Sequence, residues 1–209
     1  MSVPSLSDIA PRRLPQQKRG QERVSALLLA ASQVLAEKGY EAATMSEIAE
    51  RAHASIGSLY QFFPNKESIA CALNTQCGNA IDKSWHQILR SDCCGDLQKA
   101  LDTLIEATIA YIDSHPETVA LQQAPRSTWN QAVRGRLERR IAAFLIKCQP
   151  QLNRVDARLY ASVCMQLIKN CSEQYLHCHH PQRRRLICEY KLLLFCYAGS
   201  RLGLLQRGQ

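Results

Sequence analysis

The stretch Thr44–Lys66, TMSEIAERAHASIGSLYQFFPNK, decides the fold of this chain. Thr44 followed three residues later by Glu47 is a capping box, in which hydroxyl and carboxylate satisfy the free amides of a starting helix. Met45, Ile48, Ala49 and Ala52 then recur at i, i+3, i+4 and i+7, one apolar stripe, while Ser46, Glu47, Glu50 and Arg51 face out. His53 and Ala54 interrupt the pattern and Ser55 offers a new cap. Ile56, Leu59, Tyr60 and Phe63 resume the spacing until Pro64 ends it. Two short helices joined by a tight turn make a helix-turn-helix.

Composition on the second of these helices points to DNA. The face away from Leu59 and Phe63 carries Gly57, Ser58 and Gln61, with Tyr60 beside them and Lys66 just beyond. Gly57 permits close approach to a major groove, Ser58 and Gln61 reach base edges, and Tyr60 and Lys66 hold phosphates. With the helix starts included, the candidate DNA contacts are Thr44, Ser55, Ile56, Gly57, Ser58, Tyr60, Gln61 and Lys66. Lys38-Gly39-Tyr40, the Thr44–Ala49 run, Gly57-Ser58-Leu59-Tyr60 and Phe63-Pro64-Asn65-Lys66-Glu67 occur here in one order. In that order they resemble the DNA-binding domain of the tetracycline-repressor (TetR) family of bacterial transcription regulators.

The 209 residues suit one small domain followed by a larger one. A net charge of +8 favours an anionic partner: nucleic acid, a membrane surface or an acidic protein. Charge does not choose among them. No stretch reaches the roughly 18 uninterrupted apolar residues of a membrane span, since Ser32 and Gln33 break even LLLAASQVLA. The first twenty residues carry no apolar secretory core, so the expected location is cytoplasmic, with no membrane partner. The ten cysteines are scattered without a CxxC pair, and a reduced, mostly buried set is expected.

In chain order, residues 1–20 form a basic arm with Pro4, Pro11 and Pro15 that will not fold by itself; it is either a solvated tail or an arm that neutralises phosphates. Residues 21–66 form the helix-turn-helix domain, whose first helix runs from Gln21 to Lys38 and stops at Gly39. Residues 67–209 form a second helical domain. Asn65 caps a fourth helix from Lys66 to about Arg90, long enough to link the two. Cys93 to Asp96 reads as a loop and cap before a helix ending near His115-Pro116. A short helix follows from Glu117 to Pro125, then one from near Ser127 to Pro150. Asp156 caps the next, and Pro181 opens the last. No alternating pattern appears, so the chain is all-α with about nine helices.

The resemblance implies that the second domain is a bundle that dimerises through its last two helices, residues 156–179 and 182–205, and holds a small-molecule effector among the middle ones. Chemistry selects Trp85, His86, Tyr111, Gln122, Gln123 and Trp129 as pocket candidates. The dimer candidates are Leu167, Leu186, Tyr190, Leu193, Leu194 and Tyr197, because the apolar stripe on those helices is wider than one core needs. The implied function is a homodimeric repressor released from a palindromic operator in double-stranded DNA by an unidentified effector. A redox- or metal-responsive repressor is the alternative. Cys164, Cys171 and Cys178 lie seven apart, about 10 Å along a helix, so they cannot share one tetrahedral ion, and no metal site is assigned. Cys93-Cys94 is the redox candidate. No phosphate loop, GxSxG or HExxH motif points to an enzyme or a cofactor, and Asp102, Glu106 and Asp113 lie on what reads as an outer face. A helical adaptor would bind protein through the basic surface but has no use for the Gly57–Lys66 pattern.

Overall fold

The computed structural model describes residues 18–90, 96–125 and 130–204. The basic arm as far as residue 17, Cys93, Cys94, Trp129 and Leu205 therefore lie outside the described residues. Among those described there are nine α-helices, one 3₁₀ turn and no strand. They are α1 (Lys18–Ala42), α2 (Met45–Arg51), α3 (Ile56–Phe62), α4 (Lys66–Arg90), α5 (Leu97–Ser114), α6 (Glu117–Gln123), α7 (Gln131–Cys148), α8 (Arg154–His177) and α9 (Arg183–Arg201).

The boundaries follow local chemistry. Helical backbone in α1 stops at Gly39, whose φ of 79° a side chain would resist. At the head of α4 the Asn65 side chain accepts from Ser68 N at 2.8 Å. The Asp96 carboxylate does the same for Lys99 N at 2.8 Å, opening α5. One expected boundary is corrected. Asn153, not Asp156, caps α8: its Oδ1 accepts from Val155 N and Asp156 N at 3.0 and 2.9 Å. Asp156, inside the first turn, instead accepts from the Asn153 amide at 2.7 Å and complements the helix dipole. The described seventh helix begins at Gln131, and the expected start near Ser127 lies outside the described residues. Pro181, as expected, sits at the last helix's entry, in the 3₁₀ turn His180–Gln182.

The chain divides into two compact units. The described part of the first is 18–78 with 115–125 and Asn130; that of the second is 79–90 with 96–114 and 131–204. This departs from the expected division after residue 66, and apolar burial gives the reason. Ile69, Ala70 and Leu73 of α4, with Ala120, Leu121 and Ala124 of α6, share one core with Leu27, Leu28, Val34 and Leu35 of α1, Ile48 of α2 and Leu59 of α3. Trp85 and Leu89, further along α4, belong to the other core with Leu101, Leu104, Ile141, Leu145, Cys164 and Ile168. α4 is thus one continuous helix whose residues serve two cores.

Cysteine burial is mixed. Cys164 and Cys171 are buried, and desolvation pushes their thiols up to about 12 and about 11. Cys188 and Cys196 are exposed on α9, so the expectation of a mostly buried set fails there. α9 also presents Leu192 and Leu193 outward, and its solvent face admits small thiols alongside them.

Candidate nucleic-acid interface

The capping box at the start of α2 is present. Thr44 Oγ1 accepts from Glu47 N at 3.3 Å, and Thr44 N donates to Glu47 Oε2 at 3.1 Å. Two ion pairs tie α2 to α1, Lys38–Glu47 and Arg51–Glu37, the latter through both guanidinium ends. The Arg51 guanidinium holds the Glu37 carboxyl below the usual glutamate range, and the Lys38 ammonium, followed by Thr44, does the same for Glu47. Lys38 and Glu37 are exposed and Glu47 and Arg51 about one third exposed, so solvent screens both pairs and each adds little to stability.

The turn into α3 is a Schellman motif. His53 N donates to Glu50 O at 3.0 Å and Ala54 N to Ala49 O at 2.9 Å, the two bonds that close a helix through a left-handed residue. That residue is His53, with φ 47°, where glycine would be the unstrained choice. Ser55 then caps α3 by accepting from Ser58 N at 3.1 Å.

Leu59 and the following Phe63 are fully buried and anchor α3 in the first core. Each such side chain contributes about 1.5–3 kcal/mol by leaving water. The opposite face is open: Ile56 is 41 % and Tyr60 44 % exposed, Gly57 and Gln61 are exposed, and Ser58 is half-buried. A methyl group at Gly57 would meet nothing within 4 Å. The fold does not require glycine there, although glycine inside an exposed helix costs about 1 kcal/mol against alanine. The surface at Gly57 is thus open.

The remaining predicted contacts have other duties. The Thr44 hydroxyl is used by the capping box and the Ser55 hydroxyl by the α3 cap. Lys66 is the clearest correction. Its ammonium donates to the carbonyls of Tyr40, Glu41 and Ala43 at 2.5, 3.0 and 3.1 Å and lies 4.5 Å from the Tyr40 ring centroid. An ammonium has three donors, and all three face the carbonyls after the break in α1, so Lys66 closes that segment rather than reaching for phosphate.

The described effector candidates are divided between the two units. Trp85 is a core residue whose Nε1 donates to Thr108 Oγ1 at 3.1 Å. His86 and Tyr111 are half-buried in the second unit, whereas Gln122 and Gln123 belong to α6 in the first. Among the dimer candidates Leu194 is corrected: it is fully buried in its own chain's core, while Leu193, its neighbour, is 52 % exposed. Leu167, Leu186, Tyr190 and Tyr197 are half-buried against that core. Val155 and Leu159 on α8 and Leu192 on α9 are more exposed than any of these, and of the three only Leu159 belongs to the apolar stripe read from the sequence. Sequence reasoning also missed a row of arginines on α7, although Arg136, Arg139 and Arg140 stand at helical i, i+3, i+4 spacing.

Comparison with known proteins bears on this geometry. The family profile for bacterial regulatory proteins of the tetR family matches residues 27–73, which hold all of α2 and α3, and the tetracyclin repressor-like C-terminal domain profile matches 96–197. The chain belongs to the TetR family. These are regulatory proteins, not enzymes. Over 102 residues the chain is 36 % identical to the HTH-type transcriptional activator FasR of Mycolicibacterium smegmatis, covering 48 % of this chain and 43 % of that one. It spans about half the length of the curated relatives it matches. Among solved structures, a TetR-family regulator from Streptomyces coelicolor superposes with a TM-score of 0.69 at 24 % identity, over 85 % of this chain and 98 % of that one. FadR from Bacillus subtilis in complex with stearoyl-CoA superposes at 0.61 with 19 % identity, over 85 % and 98 %. Both likenesses concern the fold. Among the described residues, no helix is long and apolar enough to cross a membrane.

Proposed function

We propose that this TetR-family protein is a homodimeric DNA-binding repressor, released from a near-palindromic operator by a small molecule bound in its second unit. The observation that carries the reading is the outward face of α3: Ile56, Gly57, Tyr60 and Gln61 exposed on a helix anchored by Leu59 and Phe63. In a two-fold dimer the two α3 helices enter successive major grooves about 34–36 Å apart or a multiple of that. Gln61 and Ser58 read base edges, Tyr60 touches the backbone, and Gly57 lets the helix sit close. Exposed Val155, Leu159, Leu192 and Leu193 on α8 and α9 supply apolar surface for the second copy.

Release follows from differential affinity. A ligand that binds better when α4 holds the α3 helices out of groove spacing lowers DNA affinity, and coupling of about 1–3 kcal/mol is ordinary between such sites. The name of FasR as an activator raises the opposite sign of regulation as a second reading. The metal- or redox-responsive alternative draws no support from Cys164 and Cys171, whose raised pKa values keep them as neutral thiols. The test is selection of bound fragments from a genomic pool, followed by transcription from the recovered promoter with and without protein. Recovery of a near-palindrome whose transcription falls on adding protein supports the repressor. Stimulated transcription establishes the activator, and no enriched sequence rejects both.

A further inference from the structure

α9 meets its own core through Leu194 and Ala198, which are 0 % and 1 % exposed. Its opposite side carries Arg185, Cys188, Leu192 and Cys196, all exposed and spaced by three or four residues, one stripe of a helix. Leu192 stands at the middle, 57 % exposed, with one thiol a turn before it and the other a turn after. Cys164 and Cys171 are buried, so an oxidant in solution meets Cys188 and Cys196 before them. Within one chain these two thiols cannot join: eight residues of helix hold them about 12 Å apart, and a disulfide needs Cα atoms within about 7 Å.

The stripe has the symmetry of a pair. When a second α9 crosses it antiparallel with the two-fold axis at Leu192, each residue faces the one equally far past Leu192 on the other copy. Cys188 then faces Cys196, Cys196 faces Cys188, and Arg185 faces Gly199. A parallel crossing would set Arg185 on Arg185 and Glu189 on Glu189, two like-charge contacts. The antiparallel one avoids both and brings Arg185 to the last turn of the second helix, the negative end of its dipole. Reach is met as well. Packed helices lie about 8–10 Å apart with Cα atoms about 2.3 Å off axis, and the thiol positions lean about 40° from the line of contact. Facing Cα atoms then come about 4.5–6.5 Å apart, inside the disulfide range of about 4.4–6.8 Å.

We propose that α9 packs antiparallel on α9 of a second copy and that peroxide links Cys188 of each to Cys196 of the other, a reversible covalent lock. The inference rests on the dimer reading and adds to it a register and a modification site. One thiolate attacks hydrogen peroxide and breaks the O–O bond, leaving a sulfenic acid and a hydroxide that takes up a proton. The facing thiolate attacks the sulfenic sulfur, forms the S–S bond and expels a second hydroxide, protonated in turn. Two thiols and one peroxide thus give one disulfide and two waters. The test treats the reduced full-length protein at micromolar concentration with hydrogen peroxide, then runs denaturing electrophoresis without reductant and mass spectrometry of tryptic peptides. Trypsin separates the two thiols, since it cuts after Arg185, Lys191 and Arg201. Expected is a band of twice the chain mass that dithiothreitol abolishes, with peptide 186–191 joined to peptide 192–201. Cys188→Ser and Cys196→Ser should each lose that band while still sedimenting as dimers in reducing buffer. A double-mass band that persists in both single variants, or a link joining 186–191 to itself, overturns the proposed pairing. A parent that sediments as a dimer yet forms no such band overturns the lock alone. A parent that is monomeric in reducing buffer removes the dimer reading, and the lock with it.

Discussion

Replacing Lys66 by methionine keeps the aliphatic stem and removes the ammonium that three backbone carbonyls share. A hydrogen bond to a charged group contributes about 1.5–3 kcal/mol, and a cation over an exposed ring about 0.5–1 kcal/mol. The three bonds are not additive, because the carbonyls are partly exposed and water replaces some of what is lost. A net loss of about 2–3 kcal/mol results, a large share of the ~5–15 kcal/mol that holds a domain together. For a chain of this length that loss lowers Tm by about 5–10 °C. Differential scanning calorimetry measures it, and a salt titration of duplex binding at a temperature where the variant is folded completes the test. The salt slope should equal that of the parent, since Lys66 neutralises no phosphate in this account. An unchanged Tm together with a slope smaller by about one would refute the reasoning and restore Lys66 as a phosphate contact.

Gly57→Ala should stabilise the fold by up to about 1 kcal/mol, since alanine is the better helix former and the space is open, while weakening operator binding; a raised Tm with full DNA affinity would remove Gly57 from the interface. His53→Gly relieves a left-handed residue that costs about 1–2 kcal/mol, partly offset by glycine's greater freedom when unfolded, and should raise Tm without altering sequence preference. Glu37 and Glu47 titrate below the usual glutamate range when folded, so their pairs stabilise fully above the unfolded value of about 4.3 and lose that contribution as pH falls through the lowered folded values. The stability gap between parent and Glu37→Gln, followed by urea midpoints, should therefore close on acidification. Leu194→Glu buries a charge and should unfold the second unit, whereas Leu193→Glu should leave circular dichroism intact and yield a monomer by sedimentation; a dimeric Leu193→Glu protein would move the interface elsewhere.

The fold was legible because its signals are local. Caps at Thr44, Ser55, Asn65 and Asp96, the stop at Gly39 and apolar spacing of 3.6 residues each act within one or two turns, and they place the helices to within a few residues. The two-core division was not legible, since nothing in the pattern of α4 says that Leu73 and Trp85 serve different cores, or that α6 returns to the first. The open face of α3 could be read from residue types on a short helix. Lys66 could not, because its carbonyl partners lie 23 to 26 residues earlier and backbone acceptors leave no trace in side-chain identity. Leu193 and Leu194 show the same limit: adjacent leucines on a helix point about 100° apart, and only packing decides which one meets the core. The ion pairs of α7 were half-visible, with Arg136 and Arg140 in register but their acid, Asp82, on another helix.

The central claim is that α3 reads DNA. Its most direct test is a binding titration of parent and Gln61→Ala protein against the duplex recovered by selection and against single-base variants of it, at several salt concentrations. The account predicts that the parent prefers its selected duplex. It also predicts that Gln61→Ala loses discrimination at one base pair in each half-site, by about 1–3 kcal/mol if the contact is bidentate, with the salt slope unchanged. Equal discrimination by the two proteins at every position would contradict it.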